Sequence, residues 1–460
     1  QLSGIGETLL FNSLIFNSVH LSQVLQFFSL LLLVLVIINF KLKSLNIDLD
    51  LKYNVILIIL TIPVFVFLIS SSKPQLFPIV ANFITLLIIL FHLQNLSKKQ
   101  MLYLFTIIVF VLFCSVQTKF SFMLSSGIMT FLAIYIMIKN KIFLSTFVLL
   151  IILFFLIFFP REYYEFLNLN KNLFYNFFNP VTDFFAAEEF NKSLRHGTGN
   201  NRFYPYWIII PVRYGNFELR EITYCLGPFV LYFLFKINFN NNYVKQICLI
   251  SSISFIVAIL FAQPVGRFYV EMFVWILFAC LFFNIKKKFF LLNFFEKSLI
   301  LYSSIFLILL SFFSINLFKG NLSKSIYDSV LTKNADGYSL YKWANTVLPD
   351  NEIIISTHRS LAFYKNEVIS YEFRLFTMPT EGHDFFIKKI KQKKPKYILY
   401  TSTELNNFMD ILQNCRGKLF KFKKNVGYTV GRNPFSINKK FYDGYIYEFN
   451  PNNLDTCSKK

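Results

Sequence analysis

The sequence predicts a polytopic α-helical membrane protein of about ten transmembrane helices, followed by a C-terminal soluble α/β domain. Three observations carry that reading. Of the 460 residues, 55% are hydrophobic, 19% aromatic and only 15% charged, far from a globular average. Apolar runs of about 17 to 21 residues recur between Val24 and Phe318, each near the length a helix needs to cross a hydrocarbon core of roughly 30 Å. From about Gly320 onward the pattern changes to short amphipathic and alternating segments of ordinary polarity.

The runs are Val24 to Phe40, Asn54 to Ser70, Leu76 to Leu93, Met101 to Val116, Ser121 to Ile138, Ile142 to Phe159, Ile222 to Phe235, Gln246 to Phe261, Phe268 to Ile285 and Ser298 to Phe318. The fourth and seventh are short enough to suit an interfacial or re-entrant placement as well.

Lysines set the expected orientation. Alternate connections carry Lys41, Lys43 and Lys52; Lys98 and Lys99; Lys139 and Lys141; Lys236 and Lys245; and Lys286, Lys287, Lys288 and Lys297. The intervening short loops hold only Lys73, Lys119 and Arg267, so the first set is expected in the cytoplasm. Residues 1–22 then form part of an outside loop, 23–319 the transmembrane domain with a long outside loop at 161–221, and 320–460 a soluble domain on the outer face. Gln1 is not an initiator Met and residues 1–22 do not read as a signal peptide; the expectation is an N-terminal truncation that removed at least one helix.

A formal net charge of +21 raises nucleic acid as a partner. No zinc-ligand spacing, RNA-binding aromatic signature or basic recognition helix accompanies it, and the lysines fall mostly between apolar runs, so they read as topology signals.

In the soluble segment, Gly337 to Leu348 fits an amphipathic helix closed by Pro349, and Glu352 to Ser356 a buried strand. A short helix at Ser360 to Tyr364, a strand at Val368 to Tyr371, a basic helix at His383 to Lys393, a strand at Tyr397 to Tyr400, a helix at Thr403 to Asn414 and a hairpin ending in Tyr445 to Phe449 complete a small α/β sheet. Cys114, Cys225, Cys248 and Cys280 lie in or beside apolar runs, where a small buried hydrophobe is the ordinary role. Cys415 and Cys457, both expected in an oxidising compartment, are placed to form a disulfide. No Cys/His cluster suggests a metal.

Candidate chemistry concentrates in the long outside loop, NPVTDFFAAEEFNKSLRHGTGNNRFYPYW from Asn179 to Trp207. Asp183, Glu188 and Glu189 supply carboxylates, and Arg195, His196 and Arg202 supply donors. Gly197 and Gly199 permit tight turns around an anion. Cations for phosphate, carboxylates for a base or for sugar hydroxyls, and aromatic rings for a sugar or prenyl chain suit a lipid-linked phosphate sugar. The plainer alternative is a loop whose charges pair with one another while its aromatics rest at the interface. A second point is Arg267, beside Pro264 and Gly266, positioned to meet a lipid phosphate or to snorkel, with Glu271 as an expected i, i+4 partner. The lysines from Lys388 to Lys394 read as a solvated face, and the pairs His358–Arg359 and His383–Asp384 as isolated.

The plan resembles the GT-C fold glycosyltransferases, and within them a bacterial branch of GT-C-like membrane proteins. The likeness rests on the long outside loop, on QPVGRFYVEMFVW from Gln263 to Trp275, on the junction GYSLYKWANTVLPDNEIIISTHRSLAFY from Gly337 to Tyr364, and on GIGETLLFNSLIFNSVHLSQVLQ from Gly4 to Gln26. It implies a bacterial inner-membrane enzyme that moves a sugar from a polyprenyl-phosphate donor to a glycan or lipid acceptor on the outer face, with or without a divalent metal. Arg195, Arg202 and Arg267 would hold the donor phosphate. The family's catalytic acid belongs to a first outside loop that precedes Gln1, leaving Asp183, Glu188, Glu189 and His196 as candidates within this chain; Glu7 is the only acid in the part of that loop present.

Rival readings are a polysaccharide polymerase or ligase, which RHGTGNNRF from Arg195 to Phe203 would also serve, a transporter, and a non-catalytic envelope protein. The soluble domain weighs against the first. The scarcity of ionisable residues in the apolar runs weighs against the second.

Overall fold

Apolar length and helix punctuation together shape the first part of the chain. The computed structural model describes residues 21–41, 47–70, 75–169, 206–210, 212–213, 216–217, 225–261, 266–282, 290–358, 363–370, 381–402, 415–429, 440–451 and 454. By internal contacts the chain divides into two compact units, residues 1–180 with 194–307, and residues 181–193 with 308–460.

The helices that begin in the first unit are α1 (Leu21–Asn39), α2 (Leu49–Thr61), α3 (Pro63–Ser70), α4 (Leu76–Phe91), α5 (Lys98–Thr118), α6 (Met123–Lys139), α7 (Phe143–Leu169), α8 (Asn242–Phe261), α9 (Val270–Ala279) and α10 (Phe290–Phe318). Among the described residues, four helical stretches are long and apolar enough to cross a membrane: Lys98–Thr118, Phe143–Pro160, Asn242–Leu260 and Leu292–Asn316. A bent pair, α2 with α3, makes a fifth if counted as one span, and Gln23–Asn39, Leu76–Phe91, Met123–Lys139 and Val270–Phe282 are shorter apolar helices.

Physical causes are visible at the helix ends. Ser97 and Gln100 close a capping box at the start of α5, reciprocally satisfying N–H groups that the first turn leaves open. The expected second run, Asn54 to Ser70, is bent by 59° between α2 and α3. Pro63 cannot donate to the ladder and its ring crowds the preceding turn. The seventh run also departs from expectation: within 225–236 it forms a 3-10 turn, Pro228–Tyr232, and a one-turn helix, Phe233–Lys236. Gly227, at φ 85°, and Pro228 interrupt any continuous helix there.

Helix α9 is enclosed almost throughout. Every residue from Val270 to Ala279 except Ile276 is buried, the pattern of a helix wrapped by other helices. By contrast, only 17% of Phe143–Pro160 and 12% of Leu292–Asn316 is buried, and both expose rows of Phe, Leu and Ile. Lipid is the solvent that tolerates such rows.

Loops expected on one side meet one another. Phe40, Phe91, Tyr243 and Phe282 form a ring cluster, with centroids 5.3 Å apart for Phe40–Phe91, 4.6 Å for Phe91–Tyr243 and 5.9 Å for Phe91–Phe282. Tyr232 accepts from Asn54 Nδ2 at 3.3 Å and donates to Glu296 at 3.1 Å, while Lys236 pairs with Glu296 at 3.5 Å. Lys52 Nζ donates to the carbonyls of Ile38 and Phe40 at 2.7 and 2.6 Å, neutralising the open carboxyl end of α1.

The second unit contains α11 (Lys324–Asn334), α12 (Tyr338–Val347), β1 (Ile354–Ser356), β2 (Val368–Ser370), α13 (Glu381–Lys393), β3 (Tyr397–Thr401), β4 (Arg416–Tyr428) and β5 (Phe441–Phe449). The five-stranded sheet has the order β2-β1-β3-β5-β4, with β1 parallel to β2 and β3, and β5 antiparallel to β3 and β4. One sheet face packs Leu340, Tyr341 and Ala344 of α12 against Ile354, Leu399 and Ile446; the other packs Ile390 of α13 against Ile355, Ile369 and Ile398. The expected helix Thr403 to Asn414 and most of that at Ser360 to Tyr364 lie outside the described residues, and Phe363 and Tyr364 form turn and bend. Sequence reading missed α11, whose signal is Ser323 accepting from Ile326 N at 3.3 Å as an N-cap.

Two predictions arise here. A Cβ built on Gly444 would lie 2.7 Å from the Trp343 ring and 3.0 Å from Val426, so Gly444→Ala should destabilise the domain by about 1–3 kcal/mol through overpacking, measured as faster hydrogen exchange in β4 and β5. Tyr338 and Lys342 bond Asp328 and hold its carboxyl below the ordinary range. A depressed carboxylate stabilises above its unfolded value of about 3.9 and loses that contribution as pH falls through the folded value. Hydrogen exchange in α11 should therefore quicken on acidification below that value, and Asp328→Asn should remove the pH step.

Candidate functional site

A buried carboxylate inside an apolar bundle needs polar company, and the first unit supplies it from two neighbouring helices. Glu271, in the first turn of α9, is 4% exposed. Its Oε1 accepts from Asn82 Nδ2 of α4 at 2.8 Å. The same amide nitrogen lies 3.5 Å from Ser125 Oγ and 3.4 Å from Ser126 Oγ. Asn82, Ser125 and Ser126 are themselves buried. Buried polar groups are retained when hydrogen-bonded, because leaving one unpaired costs the full desolvation of that group. Asn82 Oδ1 and Trp275 Nε1 nonetheless have no hydrogen-bond partner among the described residues.

Glu271 does not pair with Arg267 as expected. Arg267 lies in the 3-10 turn Gly266–Phe268, and Tyr269, at φ −108° and ψ −8°, separates that turn from α9. The i, i+4 geometry of one continuous α-helix is therefore lost, and Glu271 turns to α4 and α6 instead.

The Arg267 guanidinium lies 5.1 Å from the centroid of the Phe268 ring, and Lys119 Nζ, just past the end of α5, lies 4.8 Å from the same ring. Two cations thus share one aromatic, a favourable contact when partly desolvated. Gln117 and Thr118 are buried on the preceding turn, and Gln117 Nε2 donates to Ile157 O of α7 at 3.5 Å. Glu162, one turn further along α7, is 2% exposed. Lys119 and Arg267 thus meet at one ring, with buried Gln117 and Thr118 just before Lys119 in the chain and buried Glu271 four positions after Arg267. Cations with an aromatic suit a phosphate bearing an apolar chain, and a buried carboxylate suits proton or hydroxyl recognition.

Of the residues proposed from sequence, Arg267 falls in this cluster. Asp183, Glu188, Glu189, Arg195, His196 and Arg202 lie outside the described residues. Sequence reasoning missed Lys119 as Arg267's neighbour, Asn82, and the buried acid Glu162. Among the described residues no group of three or more His, Cys, Asp or Glu could hold a metal ion.

In the second unit, His358 is not an isolated residue. Its Nε2 lies 3.7 Å from Asp336 Oδ1, its N–H donates to Ser356 Oγ at 3.2 Å, and Tyr341 shares a 2.8 Å hydrogen bond with that hydroxyl. Ser356, Ser370 and Thr401, all buried, end the three parallel strands at the sheet edge where open α/β sheets bind ligands. Arg359 and the His383 and Asp384 side chains lie outside the described residues. Cys415 is disulfide-bonded; its expected partner, Cys457, also lies outside them.

The DUF1420 N-terminal domain matches residues 1–331 and the DUF1420 C-terminal domain matches residues 332–460. No curated protein and no solved structure matches the chain.

Proposed function

We propose that this chain, which belongs to the DUF1420 family, is an integral-membrane glycosyltransferase that moves a sugar from a lipid-linked phosphate donor to a cell-envelope acceptor. The observation that carries the reading is the pair of cations on the Phe268 ring, Arg267 at 5.1 Å and Lys119 at 4.8 Å. The loops holding them are those that the lysine pattern assigns to the outer face. The bonded Cys415 supports an oxidising, extracytoplasmic side for the C-terminal domain, and a polytopic helical bundle with such a domain is the architecture of this reading.

Arg267 and Lys119 hold the donor phosphate, joined by Arg195 and Arg202 of the long loop. Phe268 lies against the lipid chain or sugar. The bond from the anomeric carbon to the phosphate oxygen breaks, the acceptor hydroxyl oxygen forms the new bond, and the phosphate leaves on its lipid. The acceptor proton passes to a carboxylate, for which Glu271 is the described candidate. Asp183, Glu188 and Glu189 remain alternatives.

The test is turnover. The chain reconstituted in lipid, given a panel of polyprenyl-phosphate sugars and a membrane glycan acceptor, should release free polyprenyl phosphate in step with glycan labelling. Chain extension of a preformed lipid-linked polysaccharide, without use of any monosaccharide donor, would favour the polymerase instead.

A further inference from the structure

Helix α11 joins the last apolar span to the C-terminal sheet and turns its polar side to the domain. At roughly 100° per residue, Ile326, Val330, Tyr327 and Leu331 share one arc of about 140° on this helix. Lys333 borders the arc on one side and Lys324 on the other. Asp328 lies outside it, and it is Asp328 that α12 holds: the Tyr338 hydroxyl and Lys342 Nζ both donate to its carboxylate, the lysine at 2.9 Å. The Tyr428 hydroxyl, at the end of β4, donates to the Lys333 carbonyl at 2.9 Å.

A helix that served only to cover the sheet would turn its apolar arc to the domain. No residue of α11 is buried. Val330 is half covered by the preceding turn, where a Cβ built on Gly320 would lie 3.5 Å from it, while Ile326 is 38% and Tyr327 48% exposed. The exposed apolar row continues backwards through Leu322, at 67%, to Phe318, Ile315 and Phe312 of α10. That helix is long and apolar enough to cross a membrane over Leu292–Asn316, and only the turn Lys319–Asn321 and its two following residues separate α10 from α11.

We infer that α11 lies along the bilayer surface where α10 ends. Leu322, Ile326 and Tyr327 enter the boundary between headgroups and acyl chains, a depth that suits a tyrosine. Lys324 and Lys333, one on each border of the arc, lay their stems along the same boundary and reach lipid phosphates. Two observations select lipid as the occupant. The exposed apolar row is continuous with that of a membrane-crossing helix, and the connection is too short to carry α11 away from the interface. The inference rests on α10 crossing the membrane and draws nothing from sugar transfer, so either reading survives failure of the other.

The experiment places photoreactive p-benzoylphenylalanine singly at Ile326, Tyr327 or Thr332 of the full chain, in nanodiscs of mixed phosphatidylcholine and phosphatidylglycerol, and maps adducts by mass spectrometry. Thr332 is exposed and lies outside the arc. Lipid adducts should form at Ile326 and Tyr327, about tenfold above Thr332. In the same nanodiscs, the pair Leu322→Glu with Ile326→Glu should quicken hydrogen exchange of α11 amides about tenfold through lost apolar burial. The pair Ser325→Glu with Ser329→Glu adds the same charge on the polar side and should not quicken it; unchanged exchange in β3 and β5 in both variants shows that the domain stays folded. Equal lipid adducts from all three positions would overturn the proposal, as would no lipid adducts at Ile326 and Tyr327. Adducts there to a second copy or to another protein would assign the arc to that partner and overturn it too, and so would α11 exchange indifferent to the pair at Leu322 and Ile326.

Discussion

Arg267→Ala is expected to lower kcat/KM for the lipid-linked donor by one to two powers of ten, the loss of about 2–3 kcal/mol of charge-assisted hydrogen bonding to phosphate. Arg267→Lys should recover part of the loss, because the charge remains while the planar fork is gone. Lys119→Ala should cost less than Arg267→Ala, since an ammonium acts as a point charge without bidentate geometry. Steady-state kinetics at several donor concentrations separates the outcomes. An unchanged kcat/KM for Arg267→Ala would remove the phosphate role, and equal losses for acidic and neutral lipid donors would recast it as a structural one.

Glu271→Gln is the second large effect. The amide keeps an oxygen to accept from Asn82, so bundle stability should hold, while transfer falls by about 10²- to 10⁴-fold if the carboxylate takes the acceptor's proton. Glu271→Ala instead leaves the Asn82 amide buried without its acceptor at 2.8 Å, and should in addition cost about 2 kcal/mol in stability. Thermal unfolding in detergent alongside turnover distinguishes the cases. Wild-type turnover with Glu271→Gln would make the residue a helix-packing pin and return the search for the acid to the outside loop.

The elements that the sequence could show are those written in local pattern. Tyr338–Val347 is announced by its amphipathic spacing and by Pro349 beyond it, and Ile354–Ser356, Val368–Ser370 and Tyr397–Thr401 by short β-branched and aromatic runs. The bend at Pro63 was also legible, but apolar length outweighed punctuation where Asn54 to Ser70 was read as one span, whereas the short run from Ile222 to Phe235, holding Gly227 and Pro228, already suited an interfacial or re-entrant placement. Contacts between distant positions leave no such mark. Asn82 and Glu271 are 189 positions apart, and no periodicity in either helix names the other. Asp336 with His358, and Lys119 with Phe268, are hidden for the same reason: a loop residue is paired by tertiary packing, not by its neighbours. Arg267 was found because a cation beside Pro and Gly at a helix end is unusual in itself. Its expected partner was wrong because the rule for i, i+4 pairs presumes an unbroken helix.

The measurement that reaches the central claim most directly is photo-cross-linking of a polyprenyl phosphate carrying a diazirine next to the phosphate, on protein in nanodiscs, with the modified peptides mapped by mass spectrometry. The account predicts label on the segments around Lys119 and from Arg267 to Glu271, competed by unlabelled polyprenyl phosphate and lost in Arg267→Ala. Label spread along the lipid-exposed faces of Phe143–Pro160 and Leu292–Asn316, unaffected by competitor or by that substitution, would contradict it.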